Sequence, residues 1–309
     1  MIKRLSLAIF LVVVIMLAGC TPKSVEKESL RIGSLPRNFD IIAYVAQQEG
    51  IFDKQGIVVQ IVPFRSEIEM DSALLAGELD GIIDDLFMAV LLSKEKETVR
   101  IVGWNAMPGL LQIVTSPGSD IASPVDLKGK EIAVSINSIM DYGLDRLLVT
   151  EGLTSEDIVK VNVPSMPLRV QVLSQGEVSA AILTPPLSDM AIFNGGRVIL
   201  EDTKSFVGPG LIFSVEALRG KSDSISRFIQ AWQQAVELIN DEPEKYHGLL
   251  TEVAKIPEAV REDVEMPTFP TLRLPTEAEV DPIVSWMINN ELISEPINYE
   301  QVVDTTYLK

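Results

Sequence analysis

Three punctuation residues recur at a nearly constant interval along this chain, and the recurrence limits the fold more than any other feature. Gly50 and Gly152, Pro63 and Pro164, and Gly77 and Gly176 lie 102, 101 and 99 residues apart. The segments around them match in kind. Residues 30–33 read as a strand, and a helix with Ile41, Ile42 and Val45 on one face stops at Gly50. Residues 58–62 read as a second strand ending at Pro63, a helix runs to Ala76, and residues 80–83 form the next strand. The order then returns: strand 131–134, a helix carrying Met140, Leu144, Leu147 and Leu148, strand 159–163 before Pro164, a short helix, and strand 180–183. Apolar runs alternating with helical periodicity specify βα units and a mainly parallel sheet. The chain is therefore expected to be α/β, with two doubly wound lobes.

The lobes are not consecutive. Residues 111–115 read as a strand leading into Ser116-Pro117-Gly118, the first expected crossing, and a return strand over 211–215 follows Gly208-Pro209-Gly210. The first lobe is then 30–117 with 211–309, the second is the insertion 118–210, and the two crossings form a two-segment hinge. The clearest helix follows: Ile225, Phe228, Ile229, Trp232, Val236 and Ile239 share one stripe. Thr276 and Glu279 have the spacing of a capping box for a further helix carrying Ile283, Trp286 and Met287.

Residues 1–19 read as a signal peptide: Lys3-Arg4, then an apolar run too short for a bilayer span, which needs about 20 residues. Leu17-Ala18-Gly19-Cys20 resembles a bacterial lipobox, so Cys20 is expected to be lipidated, with 20–29 as a tether. Acyl chains hold a protein at a membrane without spanning it. The module is expected to be extracytoplasmic, on the periplasmic side if the host has two membranes. Cys20 is the only cysteine and His247 the only histidine, which disfavours disulfides, zinc sites and His-based nucleophile activation. A formal net charge of -18 argues against nucleic acid as a partner.

The run from Ala43 to Phe52, Leu74-Leu75-Ala76-Gly77-Glu78-Leu79-Asp80 and the stretch from Asp126 to Val134 resemble solute-binding proteins of the sulfonate, nitrate and thiamine-precursor type. Trp286-Met287, the run from Val302 to Thr305 and Tyr307-Leu308 are similar to that family's closing segment. The resemblance implies a type II periplasmic-binding-protein fold. It implies a small-molecule ligand, delivered to the permease and ATPase subunits of an ABC importer. The protein is expected to be a monomer with no cofactor and no catalytic residues. A ligand sensor for a membrane receptor is the alternative; an enzyme on the same fold is a lesser one, since the cysteine-rich motif of a related pyrimidine-forming enzyme is lacking here.

Ligands of open α/β sheets bind beyond the carboxyl ends of the strands. That rule nominates Pro36, Asn38 and Phe39, then Asp84 and Asp85, then Trp104 and Asn105, from the first lobe. From the second it nominates Ser135, Asn137, Ser138 and Asp141, and Thr184. Several have structural alternatives: Asn38 as a helix cap, Asp84-Asp85 as the cap of a helix beginning at Leu86, Ser138 and Asp141 as a capping box, and Trp104 as core. Asp84, Asp85 and Asp141 would repel an anion, and Arg37 is the basic residue noted among the strand-end loops. The ligand is expected to be a neutral or cationic nitrogenous compound rather than a sulfonate or nitrate.

Overall fold

The computed structural model describes residues 29–94, 98–107, 111–202, 207–262 and 264–308. The leader, Cys20 and the tether up to residue 28 lie outside the described residues. Among those described, no helix is long and apolar enough to cross a membrane.

Two five-stranded sheets carry the two lobes. The first takes β1 (Ser29–Ser34), β2 (Val58–Pro63), β3 (Gly81–Asp84) and β4 (Val99–Trp104). The second takes β5 (Gln112–Thr115), β6 (Glu131–Val134), β7 (Val159–Asn162), β8 (Ala180–Leu183) and β9 (Val198–Glu201), and β10 (Gly210–Ser214) returns to the first. Their orders are β2-β1-β3-β10-β4 and β7-β6-β8-β5-β9. β1 runs parallel to β2 and β3, and β6 runs parallel to β7 and β8. β10 lies antiparallel between β3 and β4, and β5 antiparallel between β8 and β9. Every residue of β3 and β8 is buried, as expected where helices cover both faces of a sheet.

The pairing of β5 moves the first crossing. β5 belongs to the second sheet, so the chain has left the first sheet after Trp104 and joined the second by Gln112, ahead of Ser116-Pro117-Gly118. The chain is back in the first sheet at Gly210, and in this second crossing Gly208 has φ +150°. A Cβ at Gly208 would stand 2.0 Å from the Asn105 carbonyl oxygen of the first crossing, so only glycine lets the two segments lie this close.

The recurring glycines have one backbone cause. Gly50, Gly77, Gly152 and Gly176 hold φ of +65°, +75°, +73° and +72°. That left-handed turn costs other residues about 1–2 kcal/mol. The helix Ser222–Asp241 buries Ile225, Phe228, Ile229, Trp232, Val236 and Ile239 in the first lobe. Phe228 stacks on Phe52 at 5.6 Å and meets Phe213 edge-on at 5.8 Å, pairs that contribute about 0.5–1.5 kcal/mol each beyond burial.

Candidate functional site

The carboxyl ends of β1 and β3 are tied together by one arginine. After β1 the chain turns through 38–40, placing Asp40 under the strand end, where it accepts hydrogen bonds from Ser34 Oγ (2.9 Å), Leu35 N–H (2.9 Å) and Arg37 Nε (3.0 Å). Arg37 reaches on to β3: Nη1 donates to Asp84 Oδ1 at 3.1 Å and Nη2 to the Ile83 carbonyl at 2.5 Å. Its guanidinium also lies 4.5 Å over the Phe39 ring. Burial opposes the Arg37 charge, but Asp40, Asp84 and Glu67 outweigh it and raise its pKa.

Around this clamp lies a surplus of carboxylates. Asp84 is fully buried; Oδ1 accepts from Arg37 and from the Asp85 N–H at 2.8 Å, while Oδ2 is buried without a hydrogen-bond partner. Asp85 caps the helix Leu86–Leu92 by accepting from Met88 N–H at 2.9 Å. Burial, then the neighbouring Asp84, push its pKa well above the ordinary value. Glu67 and Asp71 stand one turn apart on the helix Glu67–Leu75. Asp71 has a second unpartnered oxygen, Oδ1, and burial followed by Asp84 and Glu67 push it from 3.8 up to about 7. Glu67 still meets solvent, yet the protein packed round its carboxyl and the charge of Asp84 raise its pKa against the pull of Arg37 and Arg169.

Arg169 answers from the second lobe. It sits on the helix Met166–Ser174, 2% exposed, with Nη1 donating to the Ile182 carbonyl at 2.7 Å and Nη2 to Pro164 at 3.4 Å. Its Nε has no partner, and burial lowers its pKa to about 10 against the attraction of Glu67. Beside it, Thr184 Oγ1 contacts Met166 Sδ at 3.4 Å, and the fully buried Ser188 hydroxyl has no partner. Glu67 and Arg169 thus attract one another between the two lobes without a direct ion pair among the contacts described.

The loop after β6 is internally tied. Ser138 Oγ donates to the Ser135 carbonyl at 2.7 Å and accepts from Met140 N–H at 3.1 Å. Asn137 holds φ +62°, and its N–H donates to Asp141 Oδ2 at 2.9 Å. Asp141 Oδ1 pairs with Lys160 Nζ at 2.6 Å. The expected Ser138–Asp141 capping box is therefore half present: Ser138 caps, but Asp141 accepts from the Asn137 N–H and pairs with Lys160. Lys160 also pairs with Asp145 Oδ1 at 2.6 Å.

Two nominated residues are corrected. Trp104 is fully buried: its Nε1 donates to the Gly208 carbonyl at 3.2 Å, and Arg273 covers its ring at 5.0 Å. Asn105 donates to the Pro270 carbonyl at 2.6 Å and accepts from Trp232 Nε1 at 2.8 Å. Both brace the first crossing from inside the first lobe and offer a ligand nothing. Asn38 opens the turn 38–40 without capping it, and with Pro36 it is half-buried at the end of β1. Phe39, Asp84 and Asp85 gather round Arg37, while Ser135, Asn137, Ser138 and Asp141 share the loop after β6 in the second lobe. Glu67, Asp71 and Arg169 escaped the strand-end rule because they lie on the helices after β2 and β7. Their signal was the recurrence itself, which aligns those two helices.

The lobes touch at an aromatic seam. Phe87 and Trp286 of the first lobe meet at 5.8 Å, and Tyr142 of the second lies 6.4 Å from Phe87 and 5.8 Å from Trp286. Trp286 Nε1 donates to Asp145 Oδ2 at 2.9 Å.

Comparison with known proteins gives the same outline. The profile of the family described as NMT1/THI5 like matches residues 38–246. A Brachyspira hyodysenteriae protein, named as a candidate ABC transporter periplasmic binding protein, is 24% identical over 264 residues, which is 78% of this chain and 75% of that one. A candidate thiamine biosynthesis protein of Haemophilus influenzae is 29% identical over 121 residues, 38% of each chain. The periplasmic aliphatic sulphonate binding protein of Escherichia coli superposes with a TM-score of 0.77 at 20% identity, over 90% of this chain and 98% of that one. At that identity the superposition establishes the two-lobe periplasmic-binding-protein fold.

Proposed function

This chain belongs to the NMT1/THI5-like family, and we propose that it is an extracytoplasmic solute-binding protein serving an ABC importer. Its lobes close on a small, cationic or neutral nitrogenous molecule and present it to the permease and ATPase subunits. The observation that carries the ligand class is Asp84 Oδ2, a buried carboxylate oxygen with no partner beside Asp85, Glu67 and Asp71. Arg37 answers the charge at Oδ1, but a buried oxygen left without a hydrogen bond is still costly. A ligand N–H or ammonium group would supply one. The family's thiamine-linked branch is consistent with such a ligand. The name of the Brachyspira relative supports the transport role, and the name of the Escherichia coli neighbour supplies the competing ligand, a sulfonate, for which Arg37 and Arg169 are the available cations.

No chemistry is assigned to the cleft: the reading is a binder that returns its ligand unchanged. The single histidine sits elsewhere, with Nε2 2.9 Å from the Val264 carbonyl. Cys20 is assigned the lipid anchor, and Cys20→Ser should release the protein from membranes. Continued retention by that variant would remove the anchor from the proposal.

Calorimetry with an aminopyrimidine and an alkanesulfonate tests the ligand class. The aminopyrimidine should bind, and Asp84→Asn should weaken it by about 2–5 kcal/mol, the usual loss when one partner of a desolvated pair is truncated. Tight binding of the sulfonate, unaffected by Asp84→Asn, would overturn the charge assignment and leave the transport role standing.

A further inference from the structure

We infer that Trp286 is a latch: its indole N–H, bonded to Asp145, holds the two lobes together and is linked to the loop after β6 in the second lobe. Trp286 belongs to the helix Glu277–Asn289, which packs in the first lobe, whereas Asp145 lies on the helix Ile139–Thr150 of the second. Their 2.9 Å hydrogen bond therefore crosses between separately folded sheets. Lys160 Nζ grips Asp145 Oδ1 at 2.6 Å from within the second lobe, leaving Oδ2 for the indole.

The same lysine grips Asp141 at 2.6 Å, and Asp141 holds the Asn137 N–H at 2.9 Å. An unbroken polar chain thus runs from Asn137 through Asp141, Lys160 and Asp145 to Trp286. On the other side the indole ring lies edge-on to Phe87, the second residue of the helix that Asp85 caps. Each end of the latch accordingly abuts one of the two candidate clusters, the carboxylates round Arg37 and the loop after β6. Asp141, read from the sequence as a ligand contact, becomes a positioning residue for the loop.

The latch belongs to lobe closure and is independent of which ligand binds, so it is tested on the full-length, ligand-free protein. Trp104 and Trp232 are fully buried in the first lobe, so acrylamide quenching of tryptophan emission reports mainly on Trp286. Asp145→Ala should raise the quenching constant and increase the radius of gyration in solution scattering. Trp286→Phe, which keeps a ring and loses the N–H, should give the same increase in radius, and the double variant should add nothing further. Thermal melting and circular dichroism confirm that each variant is folded. Should Asp145→Ala fold poorly, Asp145→Asn keeps its shape while losing the pull of Lys160, and it should shift both readouts in the same direction. Folded variants with unchanged radius and quenching, or radius changes that simply add in the double variant, would overturn the inference.

Discussion

Replacing Asp71 with asparagine should stabilise this protein, and only above a defined pH. Asp71 is half-buried near Asp84 and Glu67, and its pKa rises from 3.8 to about 7. A group whose folded pKa is raised holds its proton more tightly in the native state, so stability falls as pH climbs from the unfolded value through the folded one. At about 1.36 kcal/mol per tenfold change in proton affinity, the ionised native state loses on the order of 4 kcal/mol. Screening by solvent at a half-buried site reduces this to about 2 kcal/mol. Asparagine has nearly the same shape and never ionises. Urea unfolding of both proteins should give equal stabilities at pH 4 and a gain of about 2 kcal/mol for the variant at pH 8. An equal gain at both pH values would trace the effect to packing, and no gain at pH 8 would refute the electrostatic account. A bound cation would relieve the same repulsion, so its affinity should rise across this pH window.

Three further outcomes follow from the geometry. Gly208→Ala should lose at least about 1–3 kcal/mol from backbone strain alone, with the contact to the Asn105 carbonyl adding to it; the urea midpoint reads the loss. Trp232→Phe leaves the buried Asn105 Oδ1 without its 2.8 Å donor and should cost about 1–3 kcal/mol by the same measurement. Arg37→Met strands Asp40 and Asp84 as uncompensated buried acids and should cost about 3–5 kcal/mol at neutral pH; lowering the pH should recover part of that loss.

The parts of the fold legible in the sequence are those governed by local chemistry. Four glycines forced into left-handed turns marked the repeat, and one apolar stripe marked the helix Ser222–Asp241. The first crossing was misread because β5 is a short apolar strand that either sheet could accept, and its antiparallel placement between β8 and β9 is a tertiary choice. The site was legible only at the strand ends. Phe39, Asp84 and Asp85 follow from the carboxyl-end rule. The contact between Arg37 and Asp84, 47 residues apart, and the attraction of Glu67 for Arg169 leave no trace in local periodicity. Trp104 and Asn105 satisfied the rule by position, but their polar atoms were already claimed by Gly208, Pro270 and Trp232.

The fourth place of β10 in the first sheet dictates an order of assembly. β4 meets β3 only through β10, and β10 emerges from the ribosome after every strand of the second lobe. The inserted lobe is one continuous stretch and can complete its sheet by Glu201, while the first lobe must hold β4 without a sheet partner until Ser214 is made. Long-range pairings of this kind slow folding, and unpaired strand edges invite aggregation. A first lobe that stays unfinished until Ser214 therefore closes its core only after the inserted lobe has every strand of its own sheet.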